Sequence, residues 1–168
     1  MIRIDDAEPP PYAANRSQKG VPLLSTSTTA SAAATIAALA RPQDVRALSL
    51  TALHVVMAMR LSAMFERAGR DPIPDLAQRY RSIETAAAVH ALVRRVIRTW
   101  PERFLVNRPC QLTMTPDEAT LAAMVRHALL ADNEGFAGML QGFVRADRQD
   151  GLYHATQHAA ALLSGRSA

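Results

Sequence analysis

After residue 40, apolar positions recur at the helical period over most of the chain, and the breaks between those runs divide it into helices. From Pro42 to Ala68 two apolar stripes run side by side. Leu48, Ala52, Val55, Val56, Met59 and Ala63 form one; Leu50, Leu53, Met57, Leu61 and Met64 form the other. A helix apolar on two sides is either central to a bundle or covered by a second subunit, and the pattern allows both. His54 falls on its less apolar flank and reads as a partly exposed or hydrogen-bonded histidine.

Beyond the breaker Arg70 to Asp75, the apolar face changes direction. Leu76, Tyr80 and Ile83 point one way, whereas Val89, Leu92, Val93, Val96, Ile97 and Trp100 point nearly opposite. One straight helix over 75–100 cannot bury both sets, so the pattern predicts a kink near Ser82, or two helices with Ser82 capping the second. Pro101 ends the run. The next stretch, Glu102 to Met114, is the only one whose residues suit a strand. Phe104, Val106, Cys110, Leu112 and Met114 alternate onto one face, with Pro109 breaking the ladder. A turn at Asn107, Arg108 and Pro109 closes it into a small hairpin, with Cys110 an inward-facing small hydrophobe. Two strands alone are marginal, so the hairpin has to lie on the helices.

The last third is marked by its start signal. Thr115-Pro116-Asp117-Glu118 has the form of a capping box: the Thr115 hydroxyl accepts from the Glu118 amide, the Glu118 carboxylate reaches back, and Pro116 takes a position that needs no donor. The helix runs to about Ala131 with Leu121, Met124, Val125, Ala128 and Leu129 inward. A second helix after Asp132 and Asn133 buries Phe136, Met139, Leu140, Phe143 and Val144. Interior glycines cost about 1 kcal/mol each against alanine, so Gly138 and Gly142 read as close-packing positions on it. A final helix from about Gly151 to Ser164 turns Leu152, Ala155, Ala159, Leu162 and Leu163 inward. The expected fold is all-α: a compact bundle of four to six helices with one short extended or hairpin segment near 103–114.

Composition sharpens this in two places. With 32 alanines and only 5% aromatics among 168 residues, intrinsic preference favours helix nearly everywhere after residue 40. Residues 1–40 differ: Pro9, Pro10, Pro11 and Pro22 interrupt a polar start, and a Ser/Thr/Ala-rich run follows, so they read as a disordered or weakly helical tail before a single helical domain at 41–168. Gly20 to Ala40 is too polar for a secretory leader, and Asp5, Asp6 and Glu8 are wrong for its start. No segment has the roughly 18 continuous apolar residues of a membrane span, so no membrane association is expected. The single cysteine excludes an intrachain disulfide and fits a cytoplasmic location.

The net charge of +4 arises wholly after Ala40, where 16 arginines face 12 aspartates and glutamates. Such a surplus attracts nucleic acid only modestly unless it is gathered in one place. The best candidate for gathering is Arg94, Arg95 and Arg98 on one helix face, a nucleic-acid or anion patch; the alternative is a solvated face paired with Glu84 and Glu102. His154 and His158, four apart on a helix, have metal-ligand spacing, but need a third ligand such as Cys110 or His127 from elsewhere in the fold. A Cys110 to His127 nucleophilic dyad is disfavoured by length. His127 lies eleven residues past Pro116, about 16 Å along the helix, while Cys110 precedes its start. A helix-turn-helix over Leu121 to Val144 fails because its second helix offers bases little beyond Gln141 and Arg145. No glycine-rich phosphate loop and no Ser-His-Asp arrangement stands out.

The stretch Cys110-x3-Met114-Thr115-Pro116-Asp117-Glu118, preceded by an arginine-bearing helix and a short extended run, resembles a family of small bacterial helical proteins of unknown function, over about residues 45 to 130. Members of that family carry several cysteines before a Met-Thr-x-Asp-Glu stretch; this chain keeps only Cys110. The resemblance implies a helical fold without an assigned activity, and any cysteine-rich metal site does not carry over. The expectation from the sequence is a non-catalytic, cofactor-free interaction or regulatory protein that self-associates through helix 42–68 or takes a protein partner. The alternatives are a nucleic-acid binder using Arg94, Arg95 and Arg98, and a metal or small-ligand protein centred on His154 and His158.

Overall fold

The computed structural model describes residues 43–165. The expected tail at 1–40 lies outside them. Six α-helices follow one short 3-10 turn (Val45–Ala47): α1 (Leu50–Arg67), α2 (Ile73–Tyr80), α3 (Ile83–Thr99), α4 (Pro116–Leu129), α5 (Asn133–Leu140) and α6 (Ala146–Leu163). The fold is the expected all-α bundle, with no strand among the described residues.

Four long helices form a closed ring in which α1 packs on α3, α3 on α6, α6 on α4 and α4 on α1, with α1 and α6 also touching across it. Two short helices dress this ring, α2 against α3 and α5 against α4 and α6. Its interior is aliphatic and fully closed to water: Val55, Val56, Leu92, Val93, Leu121, Met124, Val125, Leu152 and Ala159 are all 0% exposed. Burying each large side chain of this kind stabilises the fold by roughly 1.5–3 kcal/mol. The central place of α1 accounts for its two apolar stripes. The second stripe is covered along its middle, with Leu53 half-buried on the core and Leu61 buried, and is open only at its ends, Leu50 and Met64.

Local chemistry sets the helix ends. α1 starts at Leu50 rather than Pro42 because Ser49, with extended backbone, accepts from the Ala52 amide and competes successfully with continuation upstream. The conflict of faces after residue 75 is resolved by two helices: Arg81 takes a left-handed conformation, and the Ser82 hydroxyl accepts from the Thr85 amide to start α3. α2 is tied to α1 by the Tyr80 hydroxyl, which donates to the His54 carbonyl at 3.0 Å; burial pushes that phenol up to about 12. The His54 ring, half-buried, tilts against Tyr80.

α5 and α6 depart from the sequence reading. α5 ends at Leu140, since Gly142 adopts a positive φ that stops a helix, so Gly142 is a terminator and not a packing position. Gly138 is exposed with no neighbour near its missing Cβ, which leaves its close-packing role unsupported as well. Phe143, read as core, is 41% exposed and meets the Trp100 ring edge-on. α6 begins at Ala146, five residues before Gly151, and so takes Asp147 and Arg148 into its first turn.

Candidate functional site

Two groups of arginine stand out, and they differ in every physical respect. The first centres on Arg60, in the middle of α1 and 1% exposed. Its guanidinium donates to both oxygens of Glu118, Nε to Oε1 at 2.7 Å and Nη2 to Oε2 at 2.8 Å. The remaining donors reach backbone carbonyls of the preceding loop: Nη1 to Gln111 and Arg108, Nη2 to Thr113. All five guanidinium N–H groups are therefore used. Glu118 also accepts from the Asn107 and Thr115 amides, and Thr115 accepts from the Glu118 amide, completing the predicted capping box. A buried ion pair is tolerable when its leftover donors and acceptors are met in this way. Nothing in the arrangement is free to bind a ligand, so it is a joint that holds the 102–115 segment on α1 and α4.

That joint corrects the reading of 103–114. The segment is extended but forms no strand: side chains do the pairing, Asn107 Nδ2 donating to the Thr113 carbonyl and the Thr115 hydroxyl to the Leu105 carbonyl. Its backbone partner is the start of the domain, with the Val45 amide on the Leu112 carbonyl and the Met114 amide on the Gln43 carbonyl. The turn falls at Arg108 to Gln111, one residue later than expected. Cys110 therefore sits at its tip, exposed and not inward-facing, and Leu112 is 50% exposed, while Met114 is buried. Of the expected apolar face, Phe104, Val106 and Met114 reach the core, while Cys110 and Leu112 do not.

The second group lies between α3 and α6. A groove of about 780 Å³ opens there, within the range of about 300–1,000 Å³ usual for small-ligand sites. α3 contributes Arg94, Arg95, Arg98 and Thr99 to its wall, and α6 contributes Arg148 and His158. The floor is made of small or apolar residues, Ala88, Ala91 and Leu92 from α3 with Gly151 and Ala155 from α6. Helical spacing explains both walls: 88, 91 or 92, 95 and 98 make one stripe of α3, and 148, 151, 155 and 158 make one stripe of α6. All four arginines and His158 are exposed.

Among the described residues Asp147 is the one carboxylate on this wall, and Arg145 holds it with bonds of 3.0 and 3.1 Å. Among the described residues, the ion pairs include none of the four groove arginines, so Glu84 and Glu102 do not neutralise them. Among the described residues Arg98 bonds only back along its own helix, to the Arg94 carbonyl. Arg148 belongs to the first turn of α6, whose N-terminus has no side-chain cap, so the positive end of the helix dipole adds to the same end of the groove.

The structure thus unites Arg94, Arg95 and Arg98 with one of the two candidate metal ligands, His158, and adds Arg148. Arg148 was missed because a helix starting at Gly151 leaves it in a loop; the readable signal was Arg145 to Gln149, a charged run compatible with a first turn. His154 is exposed beside the Tyr153 ring, off the groove wall. Among the described residues, no group of three or more His, Cys, Asp or Glu side chains is arranged to hold a metal ion. His127, once a possible third ligand, is bonded through Nδ1 to Asp132 Oδ2 at 2.8 Å, at the start of α5. Among the described residues no hydrogen bond joins His127 to Cys110, which lies exposed at the tip of the 108–111 turn.

Among the described residues no helix is long and apolar enough to cross a membrane. No protein-family model, curated protein or solved structure matches this chain.

Proposed function

We propose that this chain is a non-catalytic binding protein whose α3–α6 groove takes an anionic ligand. One observation carries the reading: four arginines from two helices face one groove whose only carboxylate among the described residues is already held by Arg145. Charges of one sign gathered on a concave wall focus their field into it and raise the local concentration of anions. A patch of solvated surface arginines on a single helix lacks that focus. The test is binding of a single-stranded oligonucleotide as a function of salt, in the parent chain and in variants lacking Arg94, Arg98 or Arg148. Affinity should fall steeply with salt, and each removed arginine should reduce the slope of log affinity on log salt by about 0.7. Salt-independent binding, or variants that bind like the parent, would sink the reading.

A second reading keeps self-association. Leu50, 67% exposed, and Met64, 44% exposed, are the open ends of the second stripe of α1. Sedimentation that finds only monomer at micromolar concentration removes it. The cytoplasm is the proposed location, supported by an exposed free thiol at Cys110 that an oxidising compartment would attack.

A further inference from the structure

We infer that the ligand of the α3–α6 groove is a phosphate-bearing anion and that Gly151 is the residue that positions Arg95 to grip it, an inference that rests on the groove being an anion site.

The ligand class follows from the balance of donors and acceptors. Four arginines present donors only to the groove; beside them, Asp147 is occupied by Arg145, and only the Thr99 hydroxyl and the His158 ring can also accept. A peptide carries N–H groups as well as carbonyls, and on this wall its N–H groups would find almost no acceptor, an uncompensated cost. The helix backbones on either side have no free edge to offer instead. A phosphate group presents oxygen acceptors around a tetrahedral centre, so arginines of both walls can grip one group, whereas a carboxylate offers the same fork only two oxygens in one plane. Ala88, Ala91 and Ala155 leave an apolar floor for the body of such a ligand.

Gly151 supplies the positioning. Its place in α6 is interior, where glycine has no role in helix termination and lowers helix stability relative to alanine. The space its missing Cβ would fill is taken by Arg95 Nη1, so the Arg95 guanidinium crosses from α3 and lies over the backbone of α6. Arg148, three residues earlier, stands on the same stripe of α6. Any side chain at 151 has to push the Arg95 head out of this seat, a movement the flexible arginine makes without disturbing the core. Gly151→Ala should therefore separate two properties that usually fall together: it favours the helix and weakens the site.

The experiment measures binding of inorganic triphosphate, a short single-stranded DNA and polyglutamate at fixed ionic strength. It uses the parent chain, Gly151→Ala, Arg95→Ala and the double variant, with melting temperature recorded for each. Losing one charge-assisted contact weakens phosphate binding by about tenfold. Gly151→Ala and Arg95→Ala should each show such a loss, the double variant should lose no more than Arg95→Ala alone, and Gly151→Ala should melt no lower than the parent. Triphosphate binding as well as DNA identifies a compact phosphate ligand; binding of DNA alone identifies a nucleic-acid backbone, and both outcomes uphold the phosphate assignment. Polyglutamate bound as tightly as triphosphate and DNA overturns it. Unchanged affinity in Gly151→Ala, with affinity lost in Arg95→Ala, overturns the role of Gly151 while the anion groove stands. Binding that no arginine replacement weakens overturns the groove itself.

Discussion

Arg60 and the arginines of the α3–α6 groove are the same residue type set to opposite ends. Arg60 is fully buried, uses every donor, and faces a carboxylate that is itself saturated by backbone amides. The groove arginines are exposed, line one groove from two helices, and share it with a single carboxylate among the described residues, Asp147, that Arg145 already holds. An arginine whose bonds are all met within the chain is part of the architecture. One whose charge is left unanswered beside others of its kind is available to something outside the chain. The comparison predicts that replacing the first kind destroys stability and replacing the second kind destroys binding, with little crossover.

The largest effect should come from breaking the buried pair. Arg60→Ala or Glu118→Ala leaves an uncompensated charge in the interior and should cost about 3–5 kcal/mol of stability, read by denaturant unfolding. A loss below about 1 kcal/mol would place that pair with ordinary surface ion pairs and erase the contrast. Next, Arg94, Arg98 and Arg148 replaced together should weaken anion binding about a hundredfold or more, while unfolding free energy stays within about 0.5 kcal/mol of the parent. Destabilisation by several kcal/mol would mean that the groove arginines also serve the fold.

A smaller effect probes the edge of the buried joint. Thr115→Ala removes the hydroxyl that accepts from the Glu118 amide and donates to the Leu105 carbonyl, and should cost about 1 kcal/mol in a denaturant melt. If it costs nothing, the cap is held by Glu118 and Arg60 without it. The smallest concerns Asp132, whose carboxyl is held below its ordinary value of 3.8, first by the Gly135 amide and then by His127. A depressed carboxylate contributes stability above its unfolded value and loses it as pH falls through the folded one. Asp132→Asn should flatten the acid limb of the stability profile below about pH 4 and leave anion binding at neutral pH unchanged, since α5 lies off the groove. An unchanged acid limb would remove that contact from the account.

Much of the architecture was readable because it follows from period and caps. Thr115 and Ser82 announce their helices by side-chain chemistry that acts within three residues, and the reversal of apolar direction between Tyr80 and Val89 requires a break at any tertiary context. The segment at 103–114 was misread because alternation also arises where long-range bonds impose an extended path, and its partners, Arg60 and Gln43, are far away in sequence. Arg60 itself left a signal: it is the only charge between Arg46 and Glu66, inside an apolar helix, and such a charge needs a buried partner. Four of the five arginine and histidine side chains of the candidate site were legible, Arg94, Arg95 and Arg98 from spacing and His158 from a different argument. Their union with Arg148 was not, because only the packing of α6 on α3 creates the groove, and Gly151, taken as a helix start, hid the turn before it.

Chemical-shift mapping of the backbone amides during titration with inorganic triphosphate tests the central claim most directly. Saturable shifts concentrated at Ala88 to Thr99 and Asp147 to His158, absent when Arg94, Arg98 and Arg148 are replaced, are the predicted result. Shifts centred on the Arg60 joint, or none at all, would contradict it.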